Sequence, residues 1–373
     1  MKITTSKSQL AAATKVVESA IAGGDDSSLA AHFLFRVVDG AVHILASNGK
    51  RLLASSVLTG AVVEGDAATF TVSGWRFSQF LNMSPDNACI LDFDGASTKV
   101  SIDGRNLRFA SLDPSAFPFW DDALKSAQET AVIKAGRLFA ALAYVKPFVS
   151  TLDTRTPALA ATECRAGTFF ASDSQSLAMA SVPGLEKTAI RFHYADIAPV
   201  NAFLGLDANL DISIREQATT TFFVRPDGGV FGVSKWIHAF PELKMSRDYL
   251  ASFTVNVDSL RYGLRFLSVA SAKTDDRIRF EFRKGKVVLS VDAVAGGREE
   301  FEVDTKDLNK LEDLLDTGRT TFDVNGNHLT ALLPTVSGDD VTFGVNWTVK
   351  NGYLLYKHMN GNDEYDAIVV WRK

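Results

Sequence analysis

The stretch ASNGKRLLASSV, which begins at Ala46, returns 125 positions later as ASDSQSLAMASV from Ala171, with Ala, Ser, Leu, Ser and Val at matching offsets. A second echo lies in SAFPFWDD and HAFPELKM, whose Phe117-Pro118 and Phe240-Pro241 stand 123 residues apart. After each Phe-Pro the chain turns polar and charged, as at a domain boundary. The repeat therefore divides the sequence into 1–125, 126–248 and 249–373. A chain that repeats itself on this scale builds a repeated scaffold.

The three domain starts share a plan. MKITTSKSQLAAATKVVESAI, AVIKAGRLFAALAYVKPFV and SFTVNVDSLRYGLRFLSVA each read as a short alternating strand followed by a helical stripe. The stripes are Leu10, Ala13, Val17 and Ile21; Leu138, Leu142, Val145 and Val149; and Leu260, Leu264 and Leu267. Spacings of three and four place each set on one helix face. Ser6 and Asp258 are expected N-caps. Hairpins follow in FRVVDGAVHIL, FRKGKVVLSV, LDFDGASTKVSIDG and FFVRPDGGVFGV, where Asp-Gly between alternating apolar runs is a strong turn signal.

A second strand and helix recurs midway through each domain, in TFTVSGWRFSQFLNMSP, IRFHYADIAPVNAFLGL and TTFDVNGNHLTALLPTV. The expectation is an α+β fold of three repeated domains, each built of two half-units made of a strand, a helix and antiparallel strands. Units of roughly 60 residues are longer than common solenoid repeats. Units with open sheet edges can instead join edge to edge and close into a ring.

Composition leaves few other classes. Apolar residues make up 46% and charged residues 22% of the 373, with a net charge of −5, ordinary for a chain that buries real cores. An acidic molecule can still carry a local basic surface for nucleic acid. The start has no signal-peptide core and no apolar run is long enough to span a membrane, so a cytoplasmic protein is expected. Cys89 and Cys164 read as buried free thiols.

The start MKITTSKSQLAAATKVV, the runs DGRNLRFASLDPSAFP (103–118) and ASDSQSLAMASVPG (171–184), the segment VSKWIHAFPEL (233–243) and the end YDAIVVWRK (365–373) together resemble the bacterial-type DNA sliding clamp, the β subunit of DNA polymerase III. The resemblance covers the whole chain at low similarity and rests on order, spacing and threefold repetition. It implies three domains of one fold, closing as a head-to-tail homodimer into a ring around double-stranded DNA, with helices lining the hole. It implies no catalysis and no cofactor or metal. The implied partners are a DNA polymerase, a clamp loader and other proteins with a clamp-binding motif.

The resemblance also implies where sites lie. Opposite the apolar stripes fall Lys15 and Arg265, with Arg76, Arg137, Lys146 and Arg261 on the flanks. Cations there would meet phosphates without reading sequence, although any solvated helix face carries such charges. YADIAPVNAFLGL and NGNHLTALLPTV carry no Lys or Arg.

The family's peptide pocket falls on SDSQSL. Relatives commonly read Thr-Asp-Gly-His-Arg-Leu there. Ser172, Asp173 and Leu177 keep the frame here, while Ser174, Gln175 and Ser176 depart from it. Leu159, Pro241, Met245, Val369, Val370 and Trp371 would complete the wall; Leu159, Leu177 and Val369 also read as core. Asp25-Asp26, where relatives often carry a basic residue, adds to the picture of a divergent clamp, phage- or plasmid-encoded or matched to a different polymerase. Dimer closure would pair the edge strand 105–112, through Phe109, with a segment near 267–273, through Leu267 and Val269. Phe109 reads equally as core.

Enzymatic signals are weak. His32, His43, His193, His238, His328 and His358 show no metal-ligand spacing, and neither a nucleophile elbow nor a phosphate-cradling Gly loop is present in the sequence. Asp92 and Asp94 alternate on one strand face and read as solvated. Two readings stand: a DNA-encircling processivity clamp, or a clamp-fold binding module that occupies clamp-binding partners without encircling DNA.

Overall fold

The computed structural model describes residues 1–373 apart from 24–25, 153, 175, 243–248, 272–276, 295, 310–320, 337, 348–350, 361–362 and 373. Among the described residues, a strand runs directly into a helix six times. Lys2–Ser6 leads into α1 (Lys7–Glu18) and Thr69–Ser73 into α2 (Gly74–Met83). The short α3 (Asp121–Ser126) stands outside the pattern, just after Phe117-Pro118. Gln128–Lys134 then leads into α4 (Ala135–Val145), Arg191–His193 into α5 (Tyr194–Leu204), Ala251–Asn256 into α6 (Val257–Ala270) and Thr321–Asn325 into α7 (Gly326–Leu332).

Local chemistry sets these starts. Ser6 caps α1 with a capping box: its Oγ accepts from Gln9 N–H at 3.2 Å while Gln9 Oε1 accepts from Ser6 N–H at 3.4 Å. The expected cap of α6 is displaced by two residues. Asn256, not Asp258, accepts from Ser259 N–H at 3.0 Å, and Asp258 sits in the first turn. The hairpins form as their residues demand. Asp39-Gly40 and Asp103-Gly104 both hold positive φ at two successive positions, the requirement of a type I′ turn.

The chain divides into two compact units, Met1–Phe139 with Ala195–Lys235, and Ala140–Tyr194 with Trp236–Lys373. The expected middle domain, 126–248, is shared between them. Sheet pairing explains this. In the first unit Val230–Ser234 pairs with Leu52–Leu58, joining two antiparallel runs into one eight-stranded sheet beside a separate five-stranded one. In the second unit Ser176–Ser181 pairs with Asp363–Arg372 within a twelve-stranded sheet. Edge-to-edge joining, expected from the repeat, thus occurs inside each unit. The threefold division itself stays an inference from the sequence.

The apolar stripes face inward. Leu10, Ala13 and Val17 of α1, Leu138, Leu142 and Val145 of α4, and Leu260, Leu264 and Leu267 of α6 are all buried. α1 lies on strands Ala41–Ser47 and Leu52–Leu58, and α6 on Lys286–Asp292 and Arg298–Asn309. Phe rings fill the space beneath: Phe77 meets Phe33, Phe35 and Phe109 edge-on in the first unit, and Phe253, Phe282 and Phe322 cluster in the second. Cys89 and Cys164 are buried free thiols, and burial pushes the Cys89 thiol up to about 12. Among the described residues no helix is long and apolar enough to cross a membrane.

Candidate functional site

The described residues of the expected peptide pocket all fall in the second unit. Strand alternation puts Leu177 and Met179 on one face of Ser176–Ser181, and Phe170 is Met179's partner on the adjacent strand. Leu177, Met179 and Phe240 form a buried cluster, and half-buried Leu159 and Phe170 pack against it. Leu177 and Met179 are buried at 9% and 8% exposure, and half-buried Leu159 and Phe170 form the cluster's outer margin.

Phe240 is bolted in place by a charged network. Its N–H donates to Glu163 Oε2 at 2.8 Å, and its carbonyl accepts from the Arg165 guanidinium. Glu163 also receives Arg165 Nε at 2.5 Å and Arg191 Nε at 2.8 Å. Burial works against the Glu163 carboxylate, but hydrogen bonds from Arg165, the Phe240 N–H and Arg191 outweigh it and hold the group below the usual range. Pro241 follows, exposed; Met245 lies outside the described residues.

The SDSQSL turn borders the cluster. Ser172 pairs with Leu177 across the hairpin. Asp173 Oδ1 accepts from Ser176 N–H at 2.7 Å, and Ser172 Oγ accepts from Ser174 N–H at 3.2 Å. Asp173 Oδ2 lies 3.4 Å from Nε2 of the buried His328, whose ring stacks on Phe148 with centroids 4.5 Å apart. Ser174 has φ +76°, a left-handed conformation that costs a non-glycine residue roughly 1–2 kcal/mol. This is the position where relatives of the resemblance carry glycine.

The tail strand completes the turn's surroundings: Val369 is in register with Ser176 and Leu354, Val370 with Tyr353, and Trp371 with Gly352. The carboxylates beside the cluster are held in hydrogen bonds and its own side chains are apolar. Such a surface is suited to receive apolar side chains rather than to move protons. Sequence reasoning missed Phe170, Met179, Phe240 and His328 as part of this region. Period-two alternation from Leu177 would have reached Met179. Nothing local signals His328, which arrives from α7.

The six basic residues all keep some access to solvent, and Lys15, Arg76 and Arg261 stand beside carboxylates. Lys15 is exposed and lies 3.2 Å from Glu18. Arg76 Nε stands 2.8 Å from Asp26, which also accepts from Ser73 Oγ at 2.7 Å. Half-exposed Arg261 stands 2.6 Å from Asp258. Arg265 is exposed and Arg137 half-buried; Lys146 is exposed but opens a 3-10 turn, Lys146–Phe148, just after α4. Large apolar side chains share these helix surfaces: Trp75 is 67% and Tyr262 63% exposed.

The residues expected at the dimer edge divide. Arg105–Ala110 is an edge strand of the five-stranded sheet, as expected. Phe109 nevertheless points inward, 4% exposed against Phe77, while Leu107, two residues back on the same strand face, is 38% exposed. Of the partner segment, 267–270 is the last turn of α6, Ser271 makes an isolated bridge with Ala293, and 272–276 lie outside the described residues. The 3.6-residue period carries Leu267 to the core and leaves Val269 87% exposed.

No protein-family model and no curated protein matches this chain. Solved structures do. The DNA polymerase III β subunit of Thermotoga maritima is 17% identical with a TM-score of 0.82, over 100% of this chain and 99% of that one. The sliding clamp of Bartonella birtlesii, bound to griselimycin, is 16% identical with a TM-score of 0.81 and the same coverage. The Bacillus subtilis sliding clamp is 13% identical at 0.80, again over 100% and 99% of the two chains. At this similarity from end to end, the chain has the fold of the bacterial DNA polymerase III β sliding clamps, in a divergent sequence.

Proposed function

We propose that this protein is a non-catalytic processivity factor: a homodimeric ring of six half-unit pairs that encircles duplex DNA, slides without sequence preference and tethers a polymerase through its peptide pocket. The observation that carries the reading is the full-length likeness to sliding clamps, with every one of the six strand-to-helix junctions present. In this reading the three domains are 1–125, 126–248 and 249–373. Lys15, Arg76, Arg137, Lys146, Arg261 and Arg265 face DNA. The cluster around Leu177 and Phe240, with the turn at Ser172 and Asp173 and the tail at Val369, Val370 and Trp371, receives a short apolar motif from the polymerase, the clamp loader and other partners. The dimer joins the strand Arg105–Ala110 to the end of α6, with Val269 in place of Leu267 as the contact.

A second reading has its own support. Glu18, Asp26 and Asp258 draw off charge that would otherwise meet phosphates, which suits a clamp-fold module that occupies partners without encircling DNA. Light scattering over a dilution series separates the two. A ring gives a stable species near twice the 40.5 kDa chain mass, and after assembly on closed circular DNA it is lost when that DNA is linearised. A species that stays monomeric at micromolar protein, or that treats circular and linear DNA alike, overturns the ring.

A further inference from the structure

We propose that His328 positions the candidate peptide pocket by holding the carboxylate of Asp173, and that protonating His328 tightens the pocket's grip on an apolar peptide. The inference rests on reading the Leu177–Phe240 cluster as the partner pocket. Its physical origin is the backbone of Ser174, held at φ +76°. Glycine occupies that conformation freely and serine does not, so the turn between Ser172 and Leu177 needs restraint from outside.

Asp173 supplies it with both oxygens. Oδ1 accepts from Ser176 N–H at 2.7 Å inside the turn, and Oδ2 reaches His328 Nε2 at 3.4 Å on another element. His328 is well fixed for the task. Its side chain is 4% exposed, it belongs to α7, and its ring lies on Phe148 at 4.5 Å and 19°.

Charge on the imidazole changes what this contact is. Neutral His328 makes at most a neutral donor's hydrogen bond; the imidazolium donates from both nitrogens and forms an ion pair with Asp173. Among the charged groups on the surrounding elements, Glu364 on the tail strand Asp363–Arg372 pairs with Lys357. Lys146, on the turn that carries Phe148, is exposed. On α6, Asp258 and Arg261 pair with each other and Arg265 is exposed; on Thr321–Asn325, Asp323 pairs with Arg279. A ligand that needs the held turn binds with an affinity scaled by the fraction of molecules in which it is held. Lower pH raises that fraction.

The test uses the full chain and griselimycin, which the Bartonella birtlesii clamp holds, titrated calorimetrically between about pH 5.5 and 8, across the histidine range. The affinity is expected to rise about tenfold as pH falls, the equivalent of one pKa unit of coupling. Leu177→Ala should abolish binding. His328→Gln and Asp173→Asn should each flatten the pH profile, with no further effect when combined. Ser174→Gly should restore tight, pH-independent binding to either, because the turn no longer needs holding.

A flat wild-type profile, or a slope that survives Asp173→Asn, overturns the coupling while leaving the pocket intact. Griselimycin that fails to bind, or binds regardless of Leu177→Ala, overturns the pocket and the inference with it. Asp173→Asn keeps an acceptor for Ser176 N–H at a half-exposed side chain, so it carries the test if His328→Gln does not fold.

Discussion

Arg51 Nε lies 2.8 Å from Oδ2 of Asp196, a carboxylate only 1% exposed and 145 residues away in sequence. The pair ties the loop before strand Leu52–Leu58 to the first turn of α5 within the first unit. Burial raises the Asp196 carboxyl above its usual range and Arg51 only partly offsets this.

Removing the cation therefore strands a buried charge. Arg51→Ala is expected to cost about 3 kcal/mol, the low end for a broken buried pair because Arg51 is partly exposed. Asp196→Asn added to it should recover part of that loss. The sign with pH is fixed: an acid with a raised folded pKa binds its proton more tightly in the fold. The deficit of Arg51→Ala should thus shrink as pH falls below neutral towards the usual carboxylate range. Urea melts at several pH values check it.

Glu163 predicts the opposite dependence. Its folded pKa lies below the unfolded value, so its contribution is complete above the unfolded pKa and is lost as pH falls through the folded one. Glu163→Gln should cost about 2 kcal/mol at neutral pH, by leaving two guanidiniums underpaired. That loss should fade in acid. The same variant loosens Phe240, so weaker binding at the pocket should accompany it.

Phe109 and Leu107 separate core from edge. Phe109→Ala is expected to destabilise the fold by about 3–4 kcal/mol through a cavity against Phe77. Leu107→Asp, two residues back on the same face but more than a third exposed, should lower the melting temperature far less than Phe109→Ala. Within the proposed ring it should lower the mass towards that of a single chain.

The paired carboxylates give a prediction about salt. Replacing Glu18, Asp26 and Asp258 with their amides frees three cations. DNA association should then strengthen, with a slope against log salt steeper by about 0.9 per added phosphate contact. An unchanged slope would remove Lys15, Arg76 and Arg261 from the DNA-facing set.

The half-units were legible because their signals are local. The i, i+3, i+4 stripe from Leu10 to Val17, the cap at Ser6 and the Asp39-Gly40 turn each specify a structure from a few neighbouring residues. At Phe240-Pro241, read from the sequence as a boundary, the structure also shows Phe240 held by Glu163 and Arg165, which come from a distant strand. Phe109 read equally as a dimer contact or as core, and Leu267 as a dimer contact; both are buried within the single chain. Deciding between the two needed the helix and strand phases, and one residue either way reverses the answer. His328 was out of reach, since its meeting with Asp173 is a product of tertiary pairing alone.

The pairing of Ser176–Ser181 with Asp363–Arg372 has a consequence for synthesis. About 190 residues separate Ser176 from its partner Val369. At ribosomal speeds of about 5–20 residues per second, that strand edge stays open for roughly 10–40 s after it emerges. During that interval the nascent chain presents Leu177 and Met179 without the strand that flanks them, which makes this segment a natural place for a chaperone to bind. Pairing with Asp363–Arg372 is what closes it.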